Sequence, residues 1–397
     1  MASSGPSSSR ARPPPAASNS GALPPDVLFD VLLRLPAREL CRLCAVCRSW
    51  RLLTSDPLFV GAHAARHPDP LFLAKFRDDG AHVNVVDLSG NVVKRIPSPE
   101  GHLLFGAHLD LACVYTRSNS CRLLNPATGA AYALPETPAP VHASDDDLQY
   151  RCTLFVCGRA ASTGEYKVLR MFNRLDIDGY GQQQLFEVFT VNGADGSAAW
   201  RARQSRDRFV EANCVAVVGR VVYFLMDCVY DMRMFTGLDT GIHPDCIASF
   251  DLGTEEWRRD IQGPISRSLV MENADAREEY LNIWRRLTLG NLKGSLVLVY
   301  HSTAKFIMDL WFLMDFENDL WVKEYTIQTE SAVPALSEVY PLLVLSDGRL
   351  VIYLELAGVL LICDPVTNTF TEVGMRQLDA IGMYTGSLLS LPCGDMV

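Results

Sequence analysis

The stretch LNPAT at residues 124–128 recurs near the C-terminus as CDPVT at residues 363–367. In both copies an apolar run ends in Asn or Asp, and Pro follows. The Asn or Asp side chain can hydrogen-bond the backbone of the turn, while Pro fixes φ. Both stretches therefore predict a turn between two antiparallel strands.

The same unit, an apolar run followed by Asp or Asn and a polar turn, occurs in six copies. The copies centre on Asp87, Asn125, Asn192, Asp251, Asp315 and Asp364. The residue six to eight places later is aromatic in five copies, and the six residues are Val93, Tyr132, Trp200, Trp257, Trp321 and Phe370. The spacing is uneven but near the roughly 40 to 50 residues of a propeller blade with inserted loops. We therefore expect a β-propeller of six or more blades, with the aromatic residues filling the gaps between neighbouring sheets.

Around this repeat the chain divides into three segments. Residues 1–22 are rich in Ser, Pro, Ala and Gly and predict a disordered tail. Residues 23–67 show helical spacing, and residues 71–392 alternate short apolar strands with turns. The expected fold is α+β and multidomain, in which a small helical module precedes a mainly antiparallel all-β domain. A β-propeller is the first interpretation of that domain, and a β-sandwich-like domain is the alternative.

One segment departs from the strand pattern. Residues 265–289 place Glu272, Ala276, Glu279, Tyr280 and Ile283 at helical spacing. This pattern predicts a helix inserted beside the sheet.

The composition indicates a folded protein whose partners are proteins. The chain has 397 residues, is 48% hydrophobic and 21% charged, and carries a net charge of -10. Binding to nucleic acid or to an anionic membrane favours a basic surface, so neither partner is expected. No apolar stretch reaches the roughly 20 residues of a membrane span, and no secretory signal is apparent. We expect a cytoplasmic or nuclear location, or both, with the twelve cysteines reduced and mostly buried.

The helical module carries an apolar stripe. It opens with Pro-Pro-Asp at residues 24–26, a composition that suits the first turn of a helix. Apolar residues then recur at helical spacing in two runs, Leu28, Val31, Leu32 and Leu35 followed by Leu40, Leu43, Cys44 and Cys47. This pattern predicts two or three short helices. Roughly 40 residues bury too little surface to be stable alone, so the stripe must pack on the rest of the chain or on a partner.

The order of short sequence motifs in this module resembles that of an F-box. The motifs are LPxDxL at residues 23–28, LPA at 35–37, VCRSWR at 46–51 and SDPxF at 55–59. Together they look most like the F-boxes of plant F-box proteins. The NPxTG-type hairpins of the third segment, residues 71–392, are similar to the F-box-associated and kelch-like β domains of the same plant family.

The resemblance implies a substrate-recognition subunit of an SCF-type E3 ubiquitin ligase. In that family the F-box docks on a Skp-type adaptor, which links it to a cullin, while the β domain binds a target protein. The residues implied in adaptor contact or its immediate support are Leu23, Pro24, Leu28, Val31, Leu32, Leu35, Pro36, Leu40, Leu43, Val46 and Trp50. Two alternatives are a helical core packed only on the β domain, and a non-ligase interaction scaffold or regulator that uses the F-box only for adaptor binding.

No motif of enzymatic or cofactor chemistry is complete in this sequence. The cysteines at 41, 44 and 47 lack a fourth ligand nearby, so no metal is expected. His63 and His67 lack the Glu of a zinc-protease helix and are expected to be surface histidines. The segment DIDGYG at 176–181 lacks the oxygen ligand that a calcium loop needs at Tyr180, so a hairpin turn is expected. The sequence predicts a non-catalytic receptor without cofactor.

Two loops are candidates for target binding, because variable loops on a rigid sheet framework carry specificity. One spans 138–148 and contains the acidic run at 145–147, which is alternatively a solvated loop. The other spans 230–244, and its adaptable apolar or ring-bearing residues are Met232, Met234, Phe235 and His243. Ordinary loop anchoring is the alternative for these four residues.

Overall fold

The computed structural model describes most of the chain from residue 23 to residue 388. The described residues are 23–36, 39–40, 43, 47–67, 69–98, 102–105, 111–116, 120–143, 154–160, 165–175, 182–191, 199–227, 243–265, 281–329, 333–334, 338–386 and 388. The chain separates into two compact units, Met1–His67 and Pro68–Val397. The tail predicted at residues 1–22 lies outside the described part.

The first unit is helical. Its helices are α1 (Pro25–Leu32), α2 (Arg48–Thr54) and α3 (Pro57–Arg66). Helix α3 begins where the sequence marks it, because Asp56 accepts a hydrogen bond from the Leu58 N–H at 2.8 Å and Pro57 occupies the first turn. The fully buried apolar residues of this unit are Leu32, Leu40 and Phe59.

The second unit is a six-bladed β-propeller of antiparallel sheets. Blade 1 contains β1 (Leu71–Phe76), β2 (His82–Asp87), β3 (Val92–Pro97) and the last strand of the chain, β25 (Leu378–Tyr384). Blade 2 contains β4 (His102–Phe105), β5 (Ala112–Thr116), β6 (Cys121–Leu124) and β7 (Ala131–Ala133). Blade 3 contains β8 (Leu154–Arg159), β9 (Tyr166–Leu175), β10 (Gln182–Val191) and β11 (Arg201–Arg203).

The remaining blades follow the same order. Blade 4 contains β12 (Val210–Val218), β13 (Val221–Met226), β14 (Cys246–Asp251), β15 (Glu256–Trp257) and a further short strand, β16 (Ile261–Gln262). Blade 5 contains β17 (Leu287–Leu292), β18 (Ser295–Ser302), β19 (Ile307–Asp315) and β20 (Leu320–Gln328). Blade 6 contains β21 (Val339–Val344), β22 (Leu350–Leu354), β23 (Val359–Asp364) and β24 (Thr369–Glu372).

The six predicted turns are the connections between the third and fourth strands of the six blades. Asp251 Oδ1 accepts the Gly253 N–H at 2.8 Å, and Asp364 Oδ1 accepts the Val366 N–H at 2.9 Å. Asp87, Asn125 and Asp315 cap their turns in the same way. The predicted turn mechanism is confirmed at these five positions, while Asn192 lies outside the described residues.

The aromatic residues of the fourth strands pack between blades, as predicted. Trp200 lies among buried residues of blades 2 and 3, and Trp321 among those of blades 4 and 5. Each indole also donates a hydrogen bond to the segment that follows the outer strand of the preceding blade. The three bonds are Trp200 to the Pro135 carbonyl at 2.7 Å, Trp257 to the Gln204 carbonyl at 2.9 Å and Trp321 to the Gln262 carbonyl at 2.9 Å.

The propeller closes by pairing the two ends of its chain. Strand β25 pairs antiparallel with β1, so that Leu71 lies opposite Tyr384. The last strand thereby becomes the innermost strand of the first blade. This ring of six separate antiparallel sheets shows that the β-sandwich alternative is wrong.

Three smaller predictions, on the inserted helix, the DIDGYG segment and the cysteines, can be compared with the described residues. Residues 281–284 are helical, but β17 already begins at Leu287, so the predicted inserted helix ends earlier than residue 289. Residues 266–280 lie outside the described part. The DIDGYG segment also lies outside it, and its flanking strands β9 and β10 are paired antiparallel. Five of the seven cysteines with a described environment are buried, which confirms the predicted burial.

Candidate functional site

The residues predicted to contact an adaptor fall into three groups. Leu23, Pro24, Val31 and Pro36 are exposed. Leu28, Leu35, Leu43 and Trp50 are partly buried, and Val46 lies outside the described residues. Leu32 and Leu40 are 1% and 0% exposed, so of the two predicted roles, contact or support, burial favours support for this pair.

An exposed ridge runs along α1. It consists of Leu23, Val27 and Val31, which are 54%, 41% and 45% exposed and recur every four residues. The sequence analysis missed Val27, although its four-residue spacing from Leu23 and Val31 was the available signal. Leu52 and Leu58 of α2 and α3 are also large exposed apolar residues that were missed. Apolar side chains exposed in such a group mark a protein-binding surface.

The chain that follows α1 is held by two histidines of α3. His63 Nε2 donates to the Leu35 carbonyl at 2.9 Å, and His67 Nε2 donates to the Leu33 carbonyl at 3.1 Å. The two rings stack at 4.4 Å, and burial lowers the pKa of His63. The prediction of surface histidines is wrong for His63, which is only 6% exposed. These bonds satisfy carbonyl groups that the end of a helix leaves open.

A second candidate site lies within the propeller, among the inner strands of blades 4, 5, 6 and 1. It consists of two adjoining cavities, of about 440 Å³ and about 160 Å³, that share Asn213. We call the pair the channel cavity. The larger part is comparable in volume to cavities that hold small ligands. Residues that line it and matter below are Glu211, Cys214, Arg285, Arg286, His301, Glu338, Tyr340, Tyr353, Glu355 and Asp379.

The channel cavity is acidic on one side. The Glu355 N–H donates to the Glu338 carbonyl at 3.2 Å, so the two residues are neighbours across β21 and β22. Partial burial and the adjacent Glu338 raise the pKa of Glu355 to about 7. The side chain remains accessible from the channel, and water there screens part of this effect. Burial also raises the pKa of Glu211 on the inner strand of blade 4. Sequence reasoning missed these residues, because no local pattern marks them.

Most residues of the two predicted target-binding loops lie outside the part of the chain that the structure describes. Met232, Met234 and Phe235 lie outside the described residues, as does the acidic run at 145–147. His243 is exposed, and its carbonyl accepts the Cys246 N–H at 3.1 Å at the start of β14. Their role in target binding stays a prediction.

Within the described ranges, no group of three or more His, Cys, Asp or Glu side chains is placed to hold a metal ion. Among the helices of those ranges, none is long and apolar enough to cross a membrane.

Comparisons with known proteins agree with this architecture. Residues 21–60 match the F-box-like family, and residues 95–385 match the F-box associated beta propeller domain family, which is more than half of the chain. F-box protein At3g07870 of Arabidopsis thaliana is 27% identical over 77% of this chain and 73% of its own length. F-box protein CPR1 of the same plant is 23% identical over 83% and 79%. A solved oligogalacturonate lyase covers 74% of this chain and 70% of its own at 10% identity, with a TM-score of 0.41. The chain therefore belongs to the F-box proteins that carry an F-box associated β-propeller domain.

Proposed function

We propose that the protein is the substrate-recognition subunit of an SCF-type E3 ubiquitin ligase. The F-box docks on a Skp-type adaptor and, through it, on a cullin, while the propeller holds a target protein. The protein is then a non-catalytic receptor that acts in the cytoplasm, the nucleus or both. An F-box implies binding to a Skp-type adaptor in general, and the receptor role extends that property to this chain.

The observation that supports the proposal is the exposed ridge of Leu23, Val27 and Val31. Two large apolar side chains on α1 and a third just before it are unfavourable in water and become favourable when a partner covers them. Pro24, next to Leu23, and Pro36, beyond the end of α1, are also exposed. An exposed row of apolar side chains on a helix suits a protein partner better than a small ligand.

The first test measures binding of the full chain to a purified Skp-type adaptor. The double variant Leu23→Ser, Val31→Ser removes two half-exposed apolar side chains and leaves Leu32, Leu40 and Phe59 in place. The variant should lose about 2 kcal/mol of binding free energy, which raises the Kd for the adaptor about thirtyfold. Leu356→Ser, at a 61% exposed position of the propeller, is the matched control and should bind as the wild type does. A folded wild type that does not capture the adaptor contradicts the proposal.

A second measurement separates a ligase receptor from a scaffold. A receptor co-purifies with cullin as well as adaptor, and its target accumulates when the proteasome is inhibited. A scaffold binds the adaptor alone and leaves the levels of its partners unchanged.

A further inference from the structure

Two glutamates of the channel cavity lack a cationic partner. Within the described part of the chain, neither Glu338 nor Glu355 forms an ion pair. Glu338 accepts a hydrogen bond from the Tyr340 hydroxyl, and the hydrogen bond between the Glu338 and Glu355 side chains adds to the burial that raises the pKa of Glu355. The repulsion between these neighbouring carboxyls disfavours the state in which both are charged, so a cation beside them would be favoured.

The two cations of the adjoining strand β1 and the turn after it are already engaged. Lys75 Nζ lies 2.6 Å from Asp379 Oδ2, which neutralises that carboxylate. Arg77 donates to the carbonyls of Leu378, Glu355 and Leu356. Other titratable or charged groups near the cavity are Glu211, Asp227, Cys214, His301, Arg285 and Arg286. Neither engaged cation is free to pair with the two glutamates.

A separate observation points to a ligand at the same place. Tyr353 lines the cavity and is 5% exposed, yet its hydroxyl has no hydrogen-bond partner among the described residues. A buried hydroxyl without a partner costs roughly 1–3 kcal/mol, which a bound donor would offset. The Tyr340 ring lies 6.4 Å from the Tyr353 ring, and both residues line the cavity.

We propose that the channel cavity binds the ammonium or guanidinium group of a lysine or arginine side chain from a bound protein segment. The cation lies between the carboxyls of Glu338 and Glu355 and donates to the Tyr353 hydroxyl. The methylene stem and the charge of such a side chain suit the faces of Tyr340 and Tyr353. The inference rests on the proposed receptor function, since it names the class of target residue that the propeller holds.

A cation that enters this site expels a proton. Burial and Glu338 raise the pKa of Glu355 to about 7, so near neutral pH this carboxyl is partly protonated. A bound cation favours the ionised form, which lowers the pKa of Glu355 in the complex. Binding therefore tightens as pH rises through 7, by up to about tenfold between pH 6 and pH 8.

The test is calorimetric titration of the full chain with three capped tripeptides, Ac-Ala-Lys-Ala-NH2, Ac-Ala-Arg-Ala-NH2 and the norleucine counterpart. At least one of the two cationic peptides should bind at least about tenfold more tightly than the uncharged one. Titrations at pH 7 in two buffers of different ionisation enthalpy should show proton release. Equal binding of all three peptides, or no binding of any, overturns the inference.

Variants locate the binding. Glu355→Gln should weaken binding of the cationic peptide by at least about tenfold, and it should abolish both the proton release and the pH dependence of binding. Tyr353→Phe should weaken it several-fold without lowering the Tm, because it removes a hydroxyl that has no protein partner. Glu372→Gln, an exposed position outside the cavity, is the matched control and should leave binding unchanged. Unaltered binding by Glu355→Gln contradicts the assignment.

Two further measurements distinguish failure of this inference from failure of the proposed function. Free n-butylammonium should bind more weakly than the lysine peptide; equal or tighter binding identifies a free amine as the ligand and overturns the protein-segment assignment. Adaptor capture is measured on the same preparation. Peptide binding that fails while adaptor capture succeeds refutes the channel inference alone, and the reverse result refutes the receptor function.

Discussion

The carboxylate of Glu255 in blade 4 forms ion pairs with three basic side chains of blade 3. Glu255 lies in the turn that Asp251 caps in blade 4, and it takes a positive φ of 60°. Its carboxylate pairs with Lys167 at 2.8 Å, with Arg201 at 2.6 Å and with Arg203, all from blade 3. Partial burial opposes ionisation, but the hydrogen bonds from these three cations lower the pKa of Glu255 to about 2. A single side chain thus ties two blades together.

The pH dependence of stability should reveal this residue. The folded pKa of Glu255 is depressed, so its stabilisation is present above its ordinary pKa of 4.5 and is lost as pH falls towards 2. Glu255→Gln should destabilise the protein by about 2 kcal/mol at pH 7, after allowance for solvent screening. The difference between wild type and variant should vanish near pH 2, as measured by urea unfolding. A difference that is constant across this range contradicts the ionic explanation.

At the scale of the element, the third-to-fourth strand hairpin is the unit that repeats. An Asp or Asn stands at the turn, and in five of the six blades an aromatic residue lies within the outer strand or directly before it. In blades 3, 4 and 5 that residue is Trp, whose indole N–H reaches back to the preceding blade. The hairpin therefore both ends its own sheet and fastens it to its neighbour.

Blade 5 offers a matched pair of tryptophans for testing this fastening. Trp321 donates to the Gln262 carbonyl, whereas Trp311 Nε1 has no partner among the described residues. Trp321→Phe should cost about 2–3 kcal/mol, because it removes a hydrogen bond, leaves a carbonyl open and creates a small cavity. Trp311→Phe removes the same atoms without breaking a hydrogen bond and should cost less than half as much in chemical denaturation. Equal losses would assign the effect to packing alone.

At the scale of the whole molecule, the ring depends on its last strand. Strand β25 supplies the innermost strand of blade 1, and buries Leu378, Ile381 and Tyr384. Lys75 of β1 also pairs with Asp379 of β25. These contacts join the two ends of the propeller and complete both the core and the wall of the channel cavity.

Truncation should show how far closure governs stability. A chain that ends at residue 377 loses β25 and the burial of three large side chains, which is more than about 5 kcal/mol. That is comparable to the whole stability of a typical domain, so calorimetry should show no cooperative unfolding of the propeller. A chain that ends at Leu388 retains β25 and is the control, with an expected Tm within a few degrees of the full chain. A cooperative transition in the shorter chain would mean that the blades do not need the closing strand.

The sequence by itself determined the local units of this protein, which are the six hairpins, the aromatic residues between blades and the order of the F-box motifs. These are readable because turn capping, strand alternation and helical spacing act over a few neighbouring residues. Only the tertiary structure decided the pairing of β25 with β1, the bonds of His63 and His67 to the end of α1, and the meeting of Glu338, Glu355 and Tyr353 with Asp379 in the channel cavity. The physical reason is that these groups come from strands and helices far apart in the chain, and ring closure and packing bring them together without leaving a local mark in the sequence.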